Sequence, residues 1–99
     1  MKAVIIYSRG EAWLEGKPHW EQQLVPHRQY LVDTLQDKLV SAGPFMDHTG
    51  GLVIIDVENI EEAVKVAKND PAVVDKKFDF AVHPWKPLEG LFVKKKWVV

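Results

Sequence analysis

His27 and Asp47 are the two side chains whose types and placement best suit proton transfer in this chain. His27 stands near the start of a helical pattern, and Asp47 follows a short extended stretch just before Gly50-Gly51. A carboxylate that accepts a hydrogen bond from one imidazole nitrogen fixes the ring's tautomer and favours its charged form. The second nitrogen is then free to act on a substrate as base or acid. Each residue also has a plainer use. An aspartate in a hairpin commonly bonds the backbone of its own turn, and a histidine at the border of an apolar stripe packs and bonds locally.

The remaining histidines are weaker candidates. His19 lies in a tryptophan-rich stretch and is placed to close over a ligand. His48 is expected to point away from Asp47 if the strand continues, and His83 to end a strand with at most a binding role. Without cysteine, and without H-x-H or H-x-x-x-H spacing, neither a metal site nor a thiolate nucleophile is expected, and no cofactor is assigned. There is no phosphate-cradling glycine loop and no clear Ser-His-Asp set.

Strands and helices must bring these residues together. Residues 2–8, KAVIIYS, predict a central strand. Residues 9–23, RGEAWLEGKPHWEQQ, carry two glycines and a proline without lasting period, and read as a long loop packed by Trp13, His19 and Trp20. Residues 24–40 predict the first helix. Leu24, Leu31, Leu35 and Ala42 fall near one meridian at about 100° per residue, with His27 and Leu39 on its flanks. Pro26 fits only the first turn.

Gly43-Pro44 ends any helix, so 41–46 predicts a short edge strand, and Asp47 to Gly51 a hairpin turn. Residues 52–57, LVIIDV, predict a second strong strand. Asn59 with Glu62 has the pattern of a capping box for a second helix, which Asn69-Asp70-Pro71 stops. Residues 72–76 allow one more helical turn. Residues 78–82 predict a third strong strand running to Pro84. Residues 91–99, LFVKKKWVV, suggest an extra edge strand guarded by lysines.

The chain has 99 residues, one domain's worth, and 46% of them are hydrophobic, enough for a single core. A net charge of −1 provides no field for nucleic acid or an anionic membrane. The apolar run at the N-terminus stops at Ser8-Arg9-Gly10, too short for a signal-peptide core or a spanning helix. A cytoplasmic protein is expected. The element order is that of an α+β, ferredoxin-like split βαβ fold (βαββαβ) with an antiparallel sheet. Its helices cover one face, so the other, partly apolar face predicts a homodimer.

The chain resembles the YCII-related family of dimeric α+β barrel proteins. The resemblance rests on His27 with Tyr30-Leu31, on Ser41-Ala42-Gly43-Pro44-Phe45-Met46-Asp47 with Gly50-Gly51, on Asn69-Asp70-Pro71 and on Val82-His83-Pro84-Trp85. It implies a ferredoxin-like monomer, a barrel-like dimer and a pocket whose His-Asp pair falls on His27 and Asp47. A few members of the family act on chlorinated hydroxy-aromatic degradation products, and the wider superfamily includes muconolactone isomerases. The 9–23 loop and the tail 86–99 depart from the family pattern.

Three functions follow as expectations. The first is a cofactor-independent enzyme, isomerase- or lyase-like, in which His27 moves a proton and Asp47 orients it. Its substrate-binding residues would be Trp13, His19, Trp20, Tyr30, Gly43, Pro44, Phe45 and Trp85. The second is a non-catalytic ligand-binding or accessory dimer with His27 as an anchor. The third is an interaction module using the lysines of the tail.

Overall fold

In the computed structural model, residues 1–88 are described. The β-branched run near the N-terminus forms β1 (Lys2–Arg9). It lies at the centre of a four-stranded sheet with β2 (Leu39–Pro44), β3 (Gly50–Asp56) and β4 (Phe78–Trp85), in the order β2-β3-β1-β4. All three pairings are antiparallel. The helices are α1 (Val25–Leu35), α2 (Ile60–Lys68) and the short α3 (Pro71–Val74). This is the α+β, ferredoxin-like arrangement that the element order predicts. The expected strand over 91–99, with its lysines, lies outside the described residues.

Alternation along the strands decides which side chains meet the helices. Ala3, Ile5 and Tyr7 of β1, Val53 and Ile55 of β3, and Phe78 of β4 turn to the helices and are buried with Leu31, Leu35, Ala63 and Ala67. Val4 and Ile6 turn the other way. They sit opposite Ile54 and Leu52 on one side and His83 and Ala81 on the other.

Local boundaries differ from the periodicity in three places. The first helix ends at Leu35, and a 3₁₀ turn over Gln36–Lys38, with Gln36 at φ +50°, feeds β2 at Leu39. Leu39 opposite Ile55 and Ala42 opposite Val53 are therefore strand residues on the helix side of the sheet, Leu39 packed on the core and Ala42 left exposed. Their spacing matched a helix because a β-bulge between Leu39 and Ser41 shifts the register. Asn59 caps α2 by accepting from the Glu62 N–H. The Glu62 carboxylate completes the cap one residue early, on the Glu58 N–H.

The 9–23 segment is tied down at both ends. Gly10 packs so closely on the Lys76 carbonyl that a Cβ there would lie 2.3 Å from its oxygen. Buried Gln22 donates to the Leu14 and Lys17 carbonyls and accepts from the Leu14 N–H. Trp13 is 7% exposed and stacks on Phe78, with ring centroids 5.6 Å apart. Trp13 is therefore a core residue rather than a pocket wall.

Candidate functional site

The first turns of α1, the C-terminal half of β1 and the β2–β3 hairpin enclose a cavity of about 200 Å³. Helix α1 contributes His27, Arg28 and Leu31, preceded by Leu24. The sheet contributes Tyr7, Val53 and Phe78, and the hairpin contributes Ala42, Gly43, Pro44 and Gly50 to Leu52. His19 closes the rim from the 9–23 segment. Gly50 is required here: with φ at +150°, a Cβ would fall 1.8 Å from the Tyr7 carbonyl oxygen. Glycine lets β3 approach β1 at the cavity floor.

His27 is held on several sides. Its Nδ1 lies 2.6 Å from Asp70 Oδ2. Its ring meets Tyr7 and Phe78 edge-on, with centroids 5.1 and 5.3 Å away. Asp70 is fully buried. It caps α3 by accepting the Ala72 N–H at Oδ1, while Oδ2 also accepts from the Tyr7 hydroxyl at 2.9 Å. Three donors converge on this carboxylate, as a buried charge requires. Burial, and then the negative charge of Asp70, push the Tyr7 phenol far above its ordinary range, so Tyr7 stays a donor. Burial followed by the same charge raises Tyr30 as well.

Asp47 does not pair with His27. Its exposed carboxylate accepts the N–H and the hydroxyl of Thr49 at 3.1 and 2.6 Å. Those bonds, led by the hydroxyl, hold it below the usual carboxylate range. This is an aspartate bonded to the backbone and side chain of its own turn, the plainer use of such a residue in a hairpin. The carboxylate on His27 comes instead from the Asp-Pro that stops α2, a helix cap with one oxygen left over.

The expected binding residues divide. His19, Gly43 and Pro44 line the cavity. Phe45, with Gly43 and Pro44, lines a second hollow on the opposite face of β2 and β3 that also includes Leu52 and Ile54. Tyr30 turns away and donates to the Val66 carbonyl. Trp85 pairs with Lys2 and shares the uncovered face with Val4 and Ile6. Trp20 is 67% exposed and packs edge-on against both His19 and His48 rather than lining the cavity. The strand does not continue through His48, which sits in the turn at φ +63°. Its Nδ1 lies 3.0 Å from that of His19, and its carbonyl accepts from Arg9.

Sequence reasoning did not single out Asp70, Tyr7 or Arg28, which the structure places at or beside the cavity. For Tyr7 a signal was present, because it continues the inward alternation of Ala3 and Ile5, and a buried phenol needs a partner. Among the described residues, no group of three or more His, Cys, Asp and Glu side chains is arranged to hold a metal. Nor is any helix among them long and apolar enough to cross a membrane.

The model of the YCII-related domain matches residues 1–86. The chain belongs to the YCII-related family. Among its YCII-related relatives, the uncharacterized protein YjpA of Bacillus subtilis is 32% identical over 68 residues, which are 67% of this chain and 79% of YjpA. The fold is similar to that of 5-chloro-2-hydroxyhydroquinone dehydrochlorinase (TftG) from Burkholderia phenoliruptrix, solved in complex with 2,5-dihydroxybenzoquinone. That similarity has a TM-score of 0.63 at 25% identity and covers 87% of this chain and 94% of the neighbour. Small-molecule catalysis is thus present among proteins of this architecture.

Proposed function

We propose that this YCII-related protein is a cofactor-independent enzyme that transfers a proton on a small cyclic hydroxy or keto compound, with His27 as general base and acid. The observation that carries this reading is the 2.6 Å contact between His27 Nδ1 and the buried, triply bonded Asp70 carboxylate. Asp70 accepts the Nδ1 proton, so the lone pair resides on Nε2. The cavity-lining imidazole can then remove a hydrogen from a carbon beside a carbonyl. The C–H electron pair moves to the carbonyl oxygen as an enolate, and the proton resides on Nε2. Return of that proton to another carbon gives isomerisation, and loss of a leaving group from the enolate gives elimination.

The size of the cavity sets the scale of the substrate. An apolar cavity of about 150 Å³ takes a benzene ring, so about 200 Å³ suits a single ring with small substituents. The reaction and ligand of the dehydrochlorinase neighbour are consistent with that size and with loss of a leaving group.

A homodimer belongs to the same proposal. The sheet face away from the helices presents Ile6, Leu52 and Ile54, all partly exposed, with no element among the described residues packed over them. A second copy laid face to face would cover them.

The test is solvent exchange. A panel of single-ring hydroxy-quinones and cyclic ketones is incubated in deuterated buffer with the protein and followed by NMR. Enzyme-dependent deuterium uptake beside a carbonyl, lost in His27→Ala, is the expected result. Binding without exchange across the panel would favour the second reading, a ligand-binding dimer that uses His27 as an anchor.

A further inference from the structure

Arg28 stands on the flank of the apolar stripe of α1, beside the mouth of the cavity. At about 100° per residue it stands about 40° from Leu24 and about 60° from Leu31; both leucines are buried, while Arg28 is exposed. Among the described residues its guanidinium forms no ion pair and no side-chain hydrogen bond, yet it lines the cavity next to His27. The acidic side chain beside His27, Asp70, is engaged by three donors and is not part of the lining.

Among the described residues, no acidic side chain lines this cavity. Its polar side chains are the Arg28 cation, His19, His27 and the Tyr7 hydroxyl, and the hydroxyl already donates to Asp70. The remaining wall is apolar. A cation beside a largely apolar hollow attracts an anion, and a planar guanidinium suits a planar oxyanion.

We propose that Arg28 is the anion-pairing residue of this cavity and that the ligand is a single-ring organic acid, whose oxyanion meets the guanidinium while the ring fills the apolar part. This rests on the reading of the cavity as a substrate site but not on the proton transfer assigned to His27. Arg28 selects the ligand, and His27 acts on it.

Calorimetric titration of benzoate and of its neutral isostere benzamide separates the two roles. The wild-type protein is expected to bind benzoate about tenfold or more tighter than benzamide, as a charge-assisted pair implies. Arg28→Gln should abolish that preference, and Arg28→Lys should keep part of it, with melting temperatures showing that both variants fold. His27→Ala should preserve the preference. The proposal is overturned if the wild type binds the two compounds equally or binds neither. It is also overturned if Arg28→Gln keeps the preference, or if His19→Ala removes it while Arg28→Gln does not. A persistent benzoate preference without deuterium exchange would count against proton transfer alone, and exchange without the preference against Arg28 alone.

Discussion

The two aspartates of the same chemical type have opposite environments, and burial decides which one serves the histidine. Asp70 is enclosed and aimed at His27, while Asp47 is exposed and occupied by Thr49. Asp70→Asn should lower turnover by about 10²–10⁴-fold, the range of an acid–base contribution, whereas Asp47→Asn should leave turnover unchanged. Steady-state kinetics on any substrate found by exchange checks both. Tyr7 gives a pH prediction. Its folded-state pKa is raised, so its contribution to stability is complete below the ordinary tyrosine value of about 10 and declines as pH rises above it. In an alkaline titration followed by ultraviolet absorbance, Tyr7 should ionise only together with unfolding, and Tyr7→Phe should remove that coupling.

At the scale of elements, much of the architecture was legible in the sequence. The nearly all-apolar, β-branched run KAVIIYS and the cap at Asn59 mark β1 and α2 because each is a local property of a few neighbouring residues. His27 was legible for the same reason, as a helix residue at the border of an apolar stripe. Its partner was not. The contact spans 43 residues, and an Asp-Pro after a helix reads as a cap whether or not its second oxygen has other work. The 9–23 segment misled in a different way, because a tryptophan in an irregular stretch looks the same whether it walls a pocket or fills a core. Trp13→Ala should therefore cost about 3–5 kcal/mol of stability, as removal of a buried aromatic does. Trp20→Ala, at an exposed site, should stay within about 0.5 kcal/mol. Denaturant melts of the two variants measure the difference.

For the whole molecule, one face of the sheet is packed against helices and the other is apolar without cover from any helix among the described residues. Sedimentation at micromolar concentration should report a dimer. Leu52→Glu is a poor probe, since Leu52 also borders the cavity. Ile6→Glu places a charge in the centre of the uncovered face and should yield a folded monomer. A monomeric wild-type protein would refute the face-to-face arrangement.

If Asp70 sets the tautomer of His27, nitrogen NMR of the imidazole observes it directly. In its neutral form the His27 ring should carry its proton on Nδ1 in the wild type and in Asp47→Asn, and should lose that fixed preference in Asp70→Asn. A ring protonated on Nε2 in the wild type, or one that responds to Asp47→Asn and not to Asp70→Asn, would contradict it.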